Sequence, residues 1–392
     1  MNDGLKEAVN SKMVSKKPNN SKHKICVFLP SLGGGGAERV FVTLANEFAA
    51  RGHTVVLIVA DSNGPQKSKI ANDVTLYDLK KRRVIECVLP LRNIFKTVQP
   101  DVVLSALNHA NLIAIIAHYL SRVNARIYVS ERNTLSVEIQ NNKGFKFQCI
   151  NHLVSRLYPR ANKVIAVSRG VGADLVSNNQ LKLDSIQTIY NPFDITRIQA
   201  LANEPLNDSW FQPGEPPVIL GIGRLVRQKG FSVLINAFSR ALKIINARLL
   251  ILGNGQELEL LKELGSSLGL DDEKFRINPF VDNPFVYMAR CKVFVLSSFW
   301  EGLPGVLVEA LACGANVVST DCPSGPSEIL EDGKWGKLVP VGCPEMLSEA
   351  IVETIISDQA NLPEVRFRAE QFAKDRIVTE YLSVMNINCA DK

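Results

Sequence analysis

Apolar residues recur along this chain in two alternating rhythms. Unbroken runs such as KICVFLP (residues 24–30) and TVVLIVA (54–60) are bounded by charge, Pro or Gly, as in strands buried on both faces of a parallel sheet. Between them, AERVFVTLANEFAA (37–50) sets Val40, Phe41, Leu44, Ala45 and Phe48 at helical spacing, and Gly52 supplies a C-terminal cap. Four glycines, 33–36, join the first strand to this helix. Strand, glycine loop, helix, strand is the opening of a doubly wound sheet. The alternation continues with strands at 101–105, 126–130, 163–168 and 185–190 and helices at 111–119, 151–158 and 170–175. Asn191-Pro192 then breaks it.

Residues 195–217 change character. Pro205, Pro213, Gly214, Pro216 and Pro217 punctuate them, and they read as an interdomain linker. A second series follows, with strands at 218–221, 248–252, 275–278, 293–296, 316–320 and 337–339. Helices are predicted at 231–245, 256–268, 284–289 and 306–312, and the end, about 346–385, reads as helical. The pattern predicts an α/β protein of two doubly wound Rossmann-like domains facing across a cleft. The first spans 24–194 and the second 218–375. Residues 1–23 read as a disordered basic tail and 376–392 as a helix or tail. Ligands of such sheets bind beyond the carboxyl ends of the strands, so the cleft is the expected site.

Composition agrees. The length of 392 residues suits two domains. With 46% hydrophobic and 21% charged residues, a mostly disordered, collagen-like or coiled-coil chain is excluded. No apolar run approaches the ~18 residues of a membrane span; the nearest, 110–117, is bounded by His109 and His118. The polar start does not resemble a secretory signal. The net charge is +6, and the lysine-rich first 23 residues carry half of it. Such mild basicity suits a phosphate-bearing ligand or the surface of an anionic membrane, and falls short of a nucleic-acid binder. The eight cysteines form no C-x-x-C pair and no zinc-type spacing. Free thiols in a reducing compartment, hence a cytoplasmic location, are expected, and no metal is.

Three motifs carry chemistry. The glycine run Gly33 to Gly36 before a helix lets backbone approach an anion at the helix N-terminus. It also reads as a structural tight turn, or as a dinucleotide loop with Asp61 as the ribose acid, although Glu38 stands where the third glycine belongs. In GIGRLVRQKG (221–230), Arg224 and Lys229 stand in a loop after a strand, where two cations can face one diphosphate or simply be solvated. In SSFWEGLPGVLVEAL (297–311), Glu301 and Glu309 form a Glu-x7-Glu pair. Glu309 is flanked by apolar residues, and a buried carboxylate needs donors such as sugar or ribose hydroxyls, or a structural ion pair.

The run FVLSSFWEGLPGVLVEALACGANVVSTDCPSGPSEILEDGKWGKLVPVG resembles the C-terminal half of family 4 retaining glycosyltransferases of the GT-B fold. GRLVRQKGF, LGNG (252–255), FVDNPFVYMARC (280–291), GGGGAERV, AVSRGVGADL and IYNPFD extend the likeness over about residues 24–375. The resemblance implies that Arg224 and Lys229 hold the nucleotide diphosphate and stabilise its departure. Glu309 would bind the ribose hydroxyls and Glu301 the donor sugar near the reacting carbon. Gly302 and Leu303 would lend backbone N–H groups; Pro304 has none. Many members carry Phe-Gly after the first Glu-Gly, where this chain has Leu303-Pro304-Gly305. The loop with Gly35 and Gly36 would close on the diphosphate from the first domain. His109 matches a position that can reach the reacting sugar or acceptor; it also reads as a helix-capping residue. SERN (130–133) recurs in relatives that build bacterial surface polysaccharides, which implies substrate contact at Glu131 and Asn133, with a solvated loop as the alternative.

The activity implied is metal-independent and cofactor-free transfer from a nucleotide-sugar donor, UDP-linked, to a glycan or lipid-linked acceptor. There is no D-x-D motif; Asp271 and Asp272 are adjacent. Peripheral contact with an anionic membrane is part of this expectation. Residues 145–160 are its candidate segment, with a core helix as the other reading. A sugar-nucleotide epimerase of the same fold and a non-catalytic nucleotide-sugar-binding subunit stand as alternatives. The Glu-x7-Glu run argues against the first, and intact Arg224, Lys229, Glu301 and Glu309 against the second.

Overall fold

A computed structural model of the chain describes residues 22–141, 145–357 and 364–387. The tail expected at 1–23 lies outside them except for Lys22 and His23. The first domain is built on β1 (Lys24–Ser31), β2 (Thr54–Asp61), β3 (Val74–Asp78), β4 (Val102–Ala106), β5 (Arg126–Glu131), β6 (Lys163–Ala166) and β7 (Ile186–Thr188). The second is built on β8 (Val218–Ile222), β9 (Arg248–Leu252), β10 (Phe275–Asn278), β11 (Val293–Leu296), β12 (Val317–Thr320) and β13 (Lys337–Val339). Their orders are β3-β2-β1-β4-β5-β6-β7 and β10-β9-β8-β11-β12-β13. Every pairing is parallel. These are two doubly wound sheets, as the alternation predicted.

The period of two explains why the strands read as solid apolar runs. Ile25, Val27 and Leu29 pack with Val55 and Leu57 on one face of the first sheet, while Cys26 and Phe28 pack with Val56 and Ile58 on the other. In the second sheet Ile219, Leu249 and Val293 face one layer, and Leu220, Leu250 and Phe294 the opposite layer. Several elements escaped the sequence pattern, helices Leu135–Asn141 and Pro326–Leu330 among them. Strand β3 is a half-exposed edge, VTLYD, with few core positions. Helix Val88–Val98 contains Pro90, which is harmless in a first turn where no N–H partner is needed.

Each sheet reverses its strand order once, between β1 and β4 and between β8 and β11. Crevices open at the carboxyl ends of such strand pairs. The loops after these four strands hold the glycine run, His109, the Arg224–Lys229 turn and Glu301.

The two domains are joined at more than one place. The segment read as a linker contains helix Ile195–Ala202, and Ile195, Ile198, Ala202 and Trp210 are buried in the second domain's core. Most of the C-terminal stretch read as helical divides into helices Pro344–Ile356, Glu364–Glu370 and Lys374–Val384. The last of these returns to the first domain, where Ile377, Val378, Tyr381 and Leu382 complete the core beneath β1 and β2. The outgoing and returning chains lie side by side. Phe193 N–H donates to the Phe372 carbonyl at 2.9 Å, and Lys374 N–H to the Phe193 carbonyl at 2.7 Å.

A second junction satisfies a helix end. The amides of Arg169 and Gly170, which open helix Arg169–Asn179, donate to the Glu328 carboxylate of the other domain at 2.7 and 2.9 Å. An acid belongs at such a terminus because the first-turn amides have no intrahelical acceptor. Ser168 and Ser324 hydroxyls meet 2.6 Å apart beside it, and Ser324 also donates to the Gly302 carbonyl at 2.8 Å.

Leu382 is fully buried in the first domain's core. We expect Leu382→Ala to cost roughly 2–5 kcal/mol, the range for a buried Leu truncation. Denaturant unfolding followed by circular dichroism measures it; an unchanged midpoint would show that this helix does not support the first domain.

Candidate active site

The second domain supplies a preassembled charge pair. Strand β8 runs into the turn that carries Arg224 and Lys229, and Gly230 ends the turn at φ +62°. A side chain at Gly230 would collide with the Ser297 carbonyl, so the turn lies directly on the loop after β11. Three hydrogen bonds seal the two loops together. Phe299 N–H donates to the Gln228 carbonyl at 2.8 Å, Gln228 Nε2 to the Trp300 carbonyl at 2.9 Å, and Ser297 Oγ to the Lys229 carbonyl at 2.8 Å.

Lys229 Nζ consequently sits 2.5 Å from Glu301 Oε1, with the two side chains 15% and 8% exposed. Ser298 Oγ donates to the same carboxylate oxygen at 2.7 Å. Nearly dry charges are costly unless paired and hydrogen-bonded, and here both conditions are met. Arg224 is exposed and makes no ion pair among the described residues. It is a guanidinium open to an anion. Cys322 is buried near Glu301; burial first, and then that carboxylate's charge, push its thiol well above the ordinary range. It is therefore an inert neutral group.

Glu309 lies in helix Gly305–Cys313 between Val308 and Ala310, both fully buried. Its side chain is 10% exposed, and Oε1 accepts Arg39 Nη2 at 2.8 Å. Arg39 belongs to the other domain, one turn into helix Gly36–Ala50. Sequence reasoning passed over it, although it stands within the GGGGAERV run. The glycine loop itself is exposed at Gly34, Gly35 and Gly36, and the Glu38 side chain folds back over Gly35.

His109 is exposed in the first turn of helix Asn108–Ser121, directly after β4. Asn108 Oδ1 accepts its backbone N–H at 2.6 Å. Leu107 before it holds φ +75°, a conformation that costs a leucine energy and is found mostly where function holds it in place.

SERN reaches the site by a route its side chains did not suggest. Glu131 is 1% exposed and faces into its own domain, where its oxygens accept Tyr158 Oη at 2.8 Å and the Arg132 amide at 3.0 Å. Asn111 Nδ2 donates in turn to Tyr158 Oη at 3.0 Å. The backbone instead crosses the cleft. A side chain on Gly302 would collide with the Arg132 carbonyl, and Thr134 Oγ1 donates to the Glu301 carbonyl at 3.4 Å. The Arg132 guanidinium is buried against Asn191 and over the Phe41 ring. Asn133 between them is exposed.

The structure thus brings together Arg224, Lys229, Glu301 and Gly302 at one switch point, with Glu309 and Leu303 on the helix and loop that follow. Gly35, Gly36 and His109 stand at the other switch point, while Glu131 is turned inward. No group of three His, Cys, Asp or Glu side chains among the described residues is arranged to hold a metal ion. No described helix is long and apolar enough to cross a membrane. In helix Phe145–Leu157, the segment considered for membrane contact, Val154 is buried, Ile150 and Leu157 pack partly on the core, and Leu153 is exposed. The side chains of residues 145–147 lie outside the described residues.

Comparison with known proteins agrees with this geometry. Residues 34–197 match the family described as Glycosyltransferase Family 4, and residues 203–376 match Glycosyl transferases group 1. The N-acetylgalactosamine-N,N'-diacetylbacillosaminyl-diphospho-undecaprenol 4-alpha-N-acetylgalactosaminyltransferase of Campylobacter jejuni is 30% identical over 387 residues, covering 92% of this chain and 99% of the relative. The lipopolysaccharide core biosynthesis glycosyltransferase LpsE of Rhizobium meliloti is 29% identical, covering 90% and 96%. Among solved structures, HepE of Anabaena in complex with UDP superposes with a TM-score of 0.75 at 20% identity, covering 93% of this chain and 99% of that one. With family matches on both domains and a relative spanned almost end to end, the chain belongs to the family 4 glycosyltransferases and is a transferase of the GT-B fold.

Proposed function

We propose that this enzyme moves a sugar from a UDP-sugar to a lipid-linked or polysaccharide acceptor, with retention at the anomeric carbon and without a metal. The Lys229–Glu301 pair beside the open Arg224 guanidinium carries the reading. Loss of a nucleotide diphosphate needs cationic charge aimed at the leaving oxygens, and fixed groups supply it without reorganising. Arg224 offers a planar fork and Lys229 a point charge. The amides opening helix Gly305–Cys313 add donors at its N-terminus. Glu301, held by Lys229 and Ser298, would take hydroxyls of the donor sugar; Glu309 would take the ribose. His109 and Asn133, exposed in the first domain, would face the sugar and the acceptor.

The donor assignment draws on the UDP bound by the Anabaena protein, and the acceptor class on the names of the Campylobacter and Rhizobium relatives. A lipid-linked acceptor calls for a protein at the cytoplasmic membrane face. A surface suited to it follows β3, where Lys80, Lys81, Arg82 and Arg83 make no ion pair among the described residues and are succeeded by exposed Ile85 and Leu89. Cations beside protruding apolar side chains suit anionic lipid headgroups over an acyl layer.

Three outcomes test this reading. In a panel of nucleotide sugars, UDP and one UDP-sugar should raise the thermal midpoint, with slow donor hydrolysis; silence toward every nucleotide overturns the assignment. Lys229→Ala and Glu301→Gln should each lower kcat by about 100-fold or more, the scale for removing one preorganised charge contact; near-normal turnover in both sinks the site. Sedimentation with vesicles containing phosphatidylglycerol should be at least about tenfold weaker for Arg82→Glu/Arg83→Glu, at ~1 kcal/mol per basic residue. Equal binding to purely zwitterionic vesicles would remove the membrane role of this surface.

A further inference from the structure

We infer that Arg39 is a positioning residue for nucleotide recognition: it reaches from the first domain to orient Glu309, so that ribose binding depends on contact between the domains. The inference rests on the reading of Glu309 as the ribose carboxylate. Three observations carry it. First, Glu309 is nearly buried, and Val308 and Ala310 beside it are fully buried, so its charge needs a partner. Second, the bond from Arg39 Nη2 at 2.8 Å is the only hydrogen bond that the Glu309 side chain makes among the described residues. Third, the bond uses Oε1, which leaves Oε2 to accept a hydroxyl.

Arg39 is anchored to do this. Its amide donates to the Gly35 carbonyl at 3.2 Å in the first turn of the helix after the glycine loop, and its guanidinium lies beside Gly305, which opens the Glu309 helix. An arginine on one oxygen fixes the plane of the carboxylate. Ribose hydroxyls then meet an acceptor already aimed at them, and no rotamer is lost on binding. A carboxylate left without that donor in the same apolar setting would turn toward water. Through this bond the first domain contributes to ribose recognition by way of Glu309.

The test compares UDP with 2′-deoxy-UDP on the full chain by calorimetry, in the wild type, Arg39→Ala, Arg39→Lys and Glu309→Gln. Arg39→Ala should weaken UDP by about tenfold or more, the scale of one charge-assisted hydrogen bond. It should also bring the affinity ratio of UDP over 2′-deoxy-UDP toward one, which a merely structural loss would leave intact. Arg39→Lys should restore part of both. Unchanged or tighter UDP binding in Arg39→Ala, with Glu309→Gln impaired, overturns the role of Arg39 alone. Unimpaired UDP binding and an unchanged ratio in Glu309→Gln overturn the ribose assignment beneath it.

Discussion

A carboxylate can be withdrawn from water only where donors reach it, and among the described residues four glutamates are withdrawn. Glu131, Glu301, Glu309 and Glu328 are all buried. Two of them are satisfied within their own domain, by Tyr158 and the Arg132 amide and by Lys229 and Ser298. The other two are satisfied from across the cleft, by Arg39 and by the amides of Arg169 and Gly170. The relative placement of the domains is thus written in where those donors stand. Separating the domains would strip two buried acids of their partners.

The same arrangement builds the floor of the cleft. Strand β5 ends against the Glu301–Gly302 loop with no room for a side chain on Gly302, and Ser324 ties that glycine's carbonyl to the Ser168 turn. Each contact falls at or next to Gly302. A buried polar network of this kind stabilises little in itself, because desolvation offsets much of the attraction. What it fixes is geometry, and preorganised geometry is what a transferase with a charged leaving group requires.

Much of this was legible in the sequence because the physics there is local. Parallel strands buried on both faces read as solid apolar runs, and β9 and β11 lie where those runs predict. Lys229 and Glu301 announced themselves as charges placed after such strands. What escaped had no local signature. Strand β3 is a half-exposed edge. Arg39 looks like any solvated helical arginine until its partner, far along the chain, is brought beside it. Glu131 looks like a cleft acid, yet Tyr158, on a separate element, turns it inward. The membership of helix Lys374–Val384 in the first domain depends on a crossing at Phe193 and Ala373 that no periodicity encodes.

That crossing bears on how the protein is made. The first domain's core is finished by residues 377–387, which leave the ribosome only after the entire second domain has been synthesised. At 5–20 residues per second, the stretch between residues 194 and 373 takes about 10–40 s. Throughout that interval the layer beneath β1 and β2, including Val40, Leu44 and Phe48, lacks the helix that covers it. The nascent first domain is therefore a natural client for chaperones that hold exposed apolar surface. A chain cut just before residue 374 would carry two nearly complete domains, one of them uncapped.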